Sequence, residues 1–242
     1  MRYGIFSDVH ANLEALEAVL GVFQEDDIGE YLCLGDLVGY AANPKECIEK
    51  VKKLSLATVA GNHDRASVDL FPANYFNPMA QEAITWTKQK ISAVHKRFLE
   101  SLELIFQDNT LTLAHGTLQR PAVFHYMIDS HAADKTFALL KTQVCFVGHS
   151  HTPGVFIKDR SQRICYHQDP VVVLESDKQY IFNAGSVGQP RDGNPDAAYC
   201  VYDTKKQRIE IKRVKYDIQA AARKIIDAGL PEFLADRLSW GR

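Results

Sequence analysis

The sequence predicts an α/β fold in which two sheets pack face to face with helices on the outside. Residues 2–103 contain three successive strand–turn–helix units, which favour a largely parallel sheet flanked by helices. Residues 111–214 instead contain many short strand-like segments separated by turn residues. The two halves therefore predict two sheets that together form an α/β sandwich.

Composition sets broad limits on the class of protein. With 242 residues, 46% of them hydrophobic, the chain can bury a large core, and we expect a single domain over residues 1–242. The 28 basic and 30 acidic residues give a net charge of -2, so nucleic acid is an unlikely partner and any phosphate binding is local. The N-terminus lacks a secretory pattern, and no apolar run reaches membrane-spanning length. We expect a cytoplasmic enzyme or binding protein with reduced cysteines and no membrane partner.

In the first half, each predicted strand ends in a turn that precedes a helix. Residues 2–7 form the first strand, and residues 12–25 follow with apolar side chains at helical spacing. The segment YLCLGD reads as the next strand, and Pro44 opens the next helix. Residues 56–64, LATVAGNHD, repeat the pattern of a strand ending in a turn. Residues 79–103 have a helical composition, with β-branched residues around Thr85 to Thr87, and predict helix.

The second half is rich in predicted strands. A helix at about 130–141 interrupts them, and two further helices near 216–228 and 231–238 finish the chain. The strand-like segments are LTLAHG, VCFVGH, GVFIKD, RICYHQ, VVVLES, QYIFNAGS, AAYCVYDT and RIEIKRV.

Five predicted strands end in side chains of the same chemical kind. Ligands of parallel-rich sheets bind beyond the carboxyl ends of the strands, which is where these side chains lie. On an extended chain, residues i and i+2 project to one face, so His149 and His151 are expected to aim at a common point. Taken singly, each group also fits a helix cap or a turn, but the recurrence favours one shared site. The residues are Asp8, His10, Asp36, Asn62, His63, Asp64, His115, His149 and His151.

These residue types predict a metal site. Carboxylates, imidazoles and one amide oxygen, without thiolates, suit manganese, iron, zinc, cobalt or nickel. Because seven candidate ligands exceed the need of one ion, we expect two divalent ions that share a carboxylate, with Asp36 as the bridge. Two ions can clamp phosphate oxygens and lower the pKa of a bridging water until hydroxide forms, which suits phosphoester hydrolysis.

His63 is the candidate acid–base residue. It follows Asn62, so in an extended turn it is expected to point away from the metal ions. Asp64 beside it is expected to orient the imidazole and raise its basicity. The alternative is that His63 only supports the site structurally.

The strings D-x-H, G-D, G-N-H-D, H-G and G-H-x-H, in that order, resemble the calcineurin-like metallophosphoesterase superfamily. The resemblance implies a four-layer α/β/β/α sandwich of two mixed sheets and a dinuclear centre. It assigns Asp8, His10, Asp36 and His151 to one metal ion. The second ion receives Asp36, Asn62, His115 and His149. His63 and Asp64 match the catalytic histidine of the family and its partner.

The resemblance extends over the whole chain, to a bacterial branch related to YfcE-like and diadenosine tetraphosphatase-like proteins. This branch usually has G-Y-G-P where this chain has GYAA, which affects the loop after Asp36. Three arginines are candidates for contact with a small phosphoester substrate, since guanidinium groups bind phosphate in bidentate fashion. They are Arg65, Arg120 and Arg191, of which the last follows a glycine-rich turn. A loop with His125 and Tyr126 is expected to overhang the site.

Two functions from different classes remain open. The first is a hydrolase of phosphodiesters or phosphomonoesters, and the second is a scaffold that keeps the fold without catalysis. All seven ligand positions and His63 are filled, which favours the hydrolase. A nuclease is disfavoured because it needs a basic surface along which to bind the nucleic-acid backbone.

Overall fold

The computed structural model describes residues 1–54 and 57–242. The first residue of the strand predicted at 56–64, Leu56, lies outside the described residues. The strands are, in chain order, β1 (Arg2–Phe6), β2 (Glu30–Cys33), β3 (Ala57–Thr58), β4 (Ile105–Gln107), β5 (Leu111–Ala114), β6 (Val144–Val147), β7 (Gly154–Lys158), β8 (Ile164–His167), β9 (Val171–Val173), β10 (Gln179–Asn183), β11 (Ala197–Asp203) and β12 (Arg208–Val214).

The helices lie mostly in the first half and at the end of the chain. Two short 3-10 helices, Ala73–Tyr75 and Pro121–Val123, lie in loops. The α-helices are α1 (Leu13–Glu25), α2 (Pro44–Lys53), α3 (Asn62–Ser67), α4 (Pro78–Lys90), α5 (Ala93–Ser101), α6 (Ser130–Phe137), α7 (Ile218–Asp227) and α8 (Glu232–Trp240). None of the helices within residues 1–54 and 57–242 has both the length and the apolar character needed to cross a membrane.

The strands form two six-stranded mixed sheets. The first has the order β3-β2-β1-β11-β12-β9, and the second has the order β4-β5-β6-β10-β7-β8. In the first sheet β1, β2 and β3 are parallel, and in the second β5, β6 and β10 are parallel. The carboxyl ends of β1 to β3 therefore share one edge of the first sheet, and those of β5 and β6 share one edge of the second.

Apolar side chains fill the space between the two sheets. Ile5 and Cys200 of the first sheet belong to one buried cluster with Phe146 and Phe182 of the second. The alternation of side chains along each strand sends the neighbouring residues to the outer faces, where helices cover them. This arrangement confirms the two sheets predicted from the sequence.

Helices cover the outer face of each sheet. On the first sheet, Leu16 of α1 and Ile48 of α2 pack in one cluster with Tyr199 of β11. On the second sheet, Phe137 of α6 packs with Ile181 of β10. The four layers, helix, sheet, sheet and helix, confirm the predicted α/β/β/α sandwich.

The segment predicted as helical over residues 79–103 contains two helices. The backbone of Ile91 is extended, with φ -80° and ψ 140°, and ends α4. Ser92 then caps α5, because its side chain accepts a hydrogen bond from the backbone N–H of His95. The prediction of helix is therefore confirmed apart from a break at residues 91–92, and the polar cap at Ser92 is the local cause of the break.

Candidate metal centre

The predicted strand-end residues lie close together where the carboxyl ends of strands from the two sheets meet. The loops after β1 and β2 are held side by side, because the backbone N–H of Asp8 donates to Gly35 at 3.0 Å. The N–H of His10 likewise donates to the carbonyl of Asp36 at 2.9 Å. Loops after β5 and β6 bring His115, His149 and His151 to the same place from the second sheet.

One group of side chains contains Asp8, His10 and His151. All three are buried, and their ligand atoms lie within 4.8 Å of one another. The Nε2 atoms of the two histidines are 3.1 Å apart. Asp8 Oδ1 lies 3.1 Å from Nε2 of His151 and 3.7 Å from Nε2 of His10.

A second group contains Asp36, His115 and His149. Asp36 Oδ2 lies 3.2 Å from His115 Nε2, which lies 3.2 Å from His149 Nδ1. Asn62 Oδ1 is also 3.2 Å from His115 Nε2. Asp36 Oδ2 is 3.7 Å from His10 Nε2 in the first group, so this carboxylate lies between the two groups.

The histidine rings are oriented by backbone carbonyls that accept hydrogen bonds from Nδ1. His10 Nδ1 donates to Val38 at 3.2 Å, and His115 Nδ1 donates to Leu34 at 2.7 Å. His151 Nδ1 donates to Gln189 at 2.5 Å. With the proton on Nδ1, Nε2 of a neutral ring presents a lone pair to the centre, the arrangement typical of metal-binding histidines.

The carboxylates also leave acceptors directed at the centre. Asp8 Oδ2 accepts from the N–H of His149 at 3.0 Å, and Asp36 Oδ1 accepts from the N–H of His63 at 2.8 Å. The other oxygen of each aspartate is buried and has no hydrogen-bond donor among the described residues. Buried carboxylate oxygens without a partner are costly unless a cation neutralises them.

The spacing of these acceptors fits metal ions. Ligand atoms at about 2.0–2.2 Å from one ion are about 3 Å apart from each other. The acceptor–acceptor distances of 3.1 and 3.2 Å in both groups are of this size. Lone pairs facing each other at such distances repel without a cation between them, so the residues present fit divalent metal.

Burial and the neighbouring carboxylates shift the pKa values of His115, His149 and His151 in different directions. Desolvation lowers the pKa of His149 to about 3 and that of His151 to about 4, so both are neutral at pH 7 and free to bind metal. Burial also opposes charge on His115, but the Asp36 carboxylate raises its pKa to about 9. Burial alone would raise the pKa of Asp8, yet the His151 imidazole beside it keeps that pKa well below its usual value.

His149 and His151 do not aim at a common point as predicted. That expectation assumed an extended chain, but their φ angles are 67° and 60°, so their side chains go to different groups. Asp8, His10 and Asp36 also have positive φ, at 55°, 49° and 52°. Each such residue is expected to cost about 1–3 kcal/mol of backbone strain, which is typical of functional sites.

His63 lies in the first turn of α3 rather than in the extended turn predicted. Its ring packs between Tyr40 at 4.5 Å and Phe76 at 4.7 Å, measured between ring centroids. Its ligand atom is within 4.8 Å of those of His10 and Asp36, so it does not point away from the centre. Within the described ranges, the buried Nδ1 has no hydrogen-bond partner.

Asp64 does not orient His63, contrary to the prediction. Its Oδ1 accepts from the N–H groups of Leu37 at 2.8 Å and Val38 at 3.3 Å, and its Oδ2 accepts from Gly61 at 3.0 Å. Burial and the Asp36 charge raise the pKa of Asp64 to about 7. Asp64 therefore ties the loop after β2 to the start of α3, which positions Asp36 and His63 together.

A cavity of about 380 Å³ opens onto this centre. Of the three predicted arginines, only Arg191 is among the described residues that line it. Arg65 donates instead to the carbonyls of Glu100 and Leu102, and Arg120 is exposed on its loop. The lining residues are Asp36, Tyr40, Asn62, His63, Phe71, Tyr75, Phe76, Asn77, Val123, Phe124, Tyr126, His149, His151, Arg191 and Arg237.

The loop expected to overhang the site contributes Tyr126, whose ring stacks on His149 with centroids 4.0 Å apart. His125 lines a different cavity. The sequence did not identify Tyr40 as a residue of the site, although Tyr40 lies on the loop that follows Asp36. It also did not identify Phe71, Phe76 or Arg237 as cavity residues. No sequence pattern near Arg237 predicts that it lines the cavity. Its position depends on how α7 and α8 pack against the loop that contains Tyr40.

Gly61→Ala is expected to destabilise the fold by about 1–3 kcal/mol and to displace Asp36, since overpacking has costs of this size. A Cβ at this position would overlap Asp36 Oδ1 and the Asp36 backbone nitrogen. Thermal unfolding and metal content check this. Gly21→Ala in α1 is the control, because a Cβ there meets nothing within 4 Å and favours the helix. Equal stability of the two variants would contradict the expectation.

The comparisons with known proteins agree with this geometry. A protein-family model described as "Calcineurin-like phosphoesterase superfamily domain" matches residues 1–207. The chain is 40% identical to an uncharacterized protein of Methanocaldococcus jannaschii, with 98% of this chain and 97% of that protein covered.

Two solved structures are similar over the whole chain. The crystal structure of a metallophosphoesterase from Sphaerobacter thermophilus has a TM-score of 0.88 and 39% identity, with 100% of both chains covered. A hypothetical protein from Pyrococcus horikoshii OT3 has a TM-score of 0.82 at 18% identity, with 100% of this chain and 98% of that one covered. The second likeness concerns the fold alone.

Proposed function

The chain belongs to the calcineurin-like phosphoesterase superfamily, and on that premise we propose that it hydrolyses phosphoesters with two divalent metal ions. The observation that supports this best is the pair of buried acceptor groups, with Asp36 between them. One ion would be held by Asp8, His10, Asp36 and His151. The other would be held by Asp36, Asn62, His115 and His149, with Asp36 as the shared ligand.

When bound, the ions would supply Lewis-acid polarisation of phosphoryl oxygens and a water of lowered pKa. The side chains around them supply the rest. Nδ1–carbonyl hydrogen bonds hold His10, His115 and His151 in one orientation, so no reorganisation is needed during the reaction. Manganese, iron, zinc, cobalt and nickel all suit this donor set.

His63 is the candidate for proton transfer to the leaving oxygen. It lines the cavity beside Asp36, and its Nδ1 is buried without a partner among the described residues. Burial lowers its pKa well below 6.5, although the Asp36 carboxylate opposes this. A bound phosphoryl group adds negative charge next to the ring, which raises the pKa and favours the protonated form needed by a general acid.

The cavity favours a small phosphoester. Its volume of about 380 Å³ is in the range of small-molecule sites, and Arg191 gives it a guanidinium group for an anionic group of the substrate. Aromatic rings of Phe71, Phe76 and Phe124 form much of the remaining wall. Neither monoester nor diester is excluded by this lining.

The test is hydrolysis by protein stripped of metal with a chelator and then reloaded. We expect no turnover of 4-nitrophenyl phosphate or bis-4-nitrophenyl phosphate without metal, and turnover of at least one of them after manganese is added. The other candidate ions should be compared in the same assay. A protein that binds two ions yet hydrolyses neither ester nor any nucleotide of a broad panel would instead be the scaffold considered above.

A further inference from the structure

Two arginines line the cavity, and neither pairs with a carboxylate side chain among the described residues. Arg237 Nε donates to the backbone oxygen of Arg242. Arg191 follows the glycine-rich turn, and Arg237 lies on α8, beyond residue 207, where the family match ends. In the described parts of the chain, the arginines that pair with carboxylates are Arg160, Arg163, Arg208 and Arg213. Asp192, next to Arg191 in the sequence, is paired with Arg213.

The guanidinium of Arg191 is held in place but keeps unused hydrogen-bonding capacity. Its Nη2 donates to Gln189 Oε1 at 3.0 Å and to Tyr40 Oη at 3.3 Å. Its Nε is buried and has no acceptor among the described residues. A buried donor without an acceptor is costly, so the position indicates a ligand that supplies one.

Arg237 is close enough to Arg191 to be affected by its charge. Burial, followed by the positive charge of Arg191, lowers the pKa of Arg237 to about 10. The two guanidinium charges therefore repel each other. An anion between them would relieve this repulsion, and the only carboxylate among the described lining residues, Asp36, belongs to the proposed metal centre.

The Arg191 side chain contacts residues beside the proposed metal ligands, and the backbone N–H of Arg191 donates to the carbonyl of His151 at 3.2 Å. The side-chain hydrogen bonds of Arg191 go to Tyr40 and Gln189, and not to the side chain of a proposed metal ligand. The Tyr40 ring lies against His10 and His63, at 4.5 Å from each, and 5.8 Å from the Arg191 guanidinium carbon. Tyr40 thus contacts both the proposed metal centre and Arg191.

We propose that Arg191 and Arg237 form a second anion site, so that the preferred substrate is a phosphoester that has another anionic group besides the one hydrolysed. This inference rests on the proposed function and extends it to a substrate class. Arg237 is then a specificity-determining residue supplied by the C-terminal helices. Bidentate guanidinium contacts suit either a phosphate or a carboxylate as the second group.

A matched pair of nucleotides tests the second anion site. Adenosine 3′,5′-bisphosphate and adenosine 5′-monophosphate differ only by one phosphate, and the aromatic wall is available to the base in both. We expect kcat/KM of the manganese-loaded protein to be about 10- to 100-fold higher for the bisphosphate, the effect of one charge-assisted contact. Calorimetry on the metal-free protein should show the same preference in binding.

Variants assign this preference to the two arginines. Arg237→Gln and Arg191→Gln should each reduce the ratio to below about 3, and Arg237→Lys should restore part of it because the charge remains. Arg160→Gln is the matched control, since Arg160 is 79% exposed and pairs with Asp177 outside the cavity. It should leave the ratio unchanged. Thermal unfolding of each variant checks that it is folded.

Two results would overturn the inference. One is a wild-type ratio near 1, which needs no variant and so holds even if a substitution prevents folding. The other is a wild-type preference that persists in folded Arg237→Gln and Arg191→Gln proteins. Turnover of nitrophenyl esters without any preference would remove the second anion site and leave the proposed function intact. Preferential binding without turnover of any ester would remove the proposed function alone.

Discussion

His63→Ala is expected to lower kcat by about 10²- to 10⁴-fold for a phosphoester with an alkyl leaving group, because a general acid typically contributes that much. Both metal ions should remain bound, since His63 is not among the residues assigned to either ion. The measurement is steady-state kinetics on metal-loaded protein, combined with metal analysis of the same samples. His63 and His10 rings are 4.7 Å apart, so the metal analysis is essential to separate loss of the acid from loss of an ion.

The leaving group distinguishes proton donation from a structural role of His63. Nitrophenolate departs without protonation, so the loss of rate for a 4-nitrophenyl ester should be much smaller than for an alkyl ester. A purely structural role would reduce both rates equally. His167→Ala provides the control, because His167 lies on β8 with 45% of its side chain exposed and is not in the cavity lining. Equal activity of His63→Ala and wild type would remove His63 from the mechanism.

Asp36→Asn is expected to reduce the bound metal from two ions to one or none. Loss of residues that only orient ligands lowers metal affinity by about 10- to 100-fold, and loss of a shared carboxylate should exceed that. The change is nearly isosteric, and an Asn Oδ1 can still accept from the N–H of His63, which donates to Asp36 at 2.8 Å in the native protein. The loss therefore reports on charge and ligation rather than on packing.

Metal content after dialysis, measured by inductively coupled plasma mass spectrometry, checks this expectation. The control is Asp69→Asn, because Asp69 pairs with Lys88 on the surface with 83% of its side chain exposed. Retention of two ions by Asp36→Asn would refute the bridging role. Retention of one ion would fit it only if activity were also lost.

The strand-end motifs could be located in the sequence because each directly follows a short apolar strand. Once those strands are parallel, their carboxyl ends share an edge, so Asp8 meets Asp36 on the first sheet and His115 meets His149 on the second. The two sheets and the outer helices were predicted from the change between strand–turn–helix units in the first half of the chain and short strand-like segments in the second half. These features depend on local patterns, so they were predictable.

Other features depend on tertiary packing and had no local signal. The short strand β9 joins the first sheet although the strands around it in sequence, β8 and β10, belong to the second. Asp64 accepts hydrogen bonds from three backbone N–H groups. Its position next to His63 in the sequence suggested a different partner, the His63 imidazole. Arg237 reaches the cavity only because α7 and α8 pack against the loop of Tyr40.

The left-handed backbone at five of the proposed ligands has a consequence for protein engineering. Glycine adopts this backbone conformation without steric strain, whereas the Cβ atoms of Asp8, His10 and His151 make it less favourable. A search for thermostable variants would therefore tend to select replacements that remove proposed metal ligands. Thermal stability and the proposed activity are therefore expected to require different residues at these positions. Screens for stable variants should measure activity as well as heat resistance.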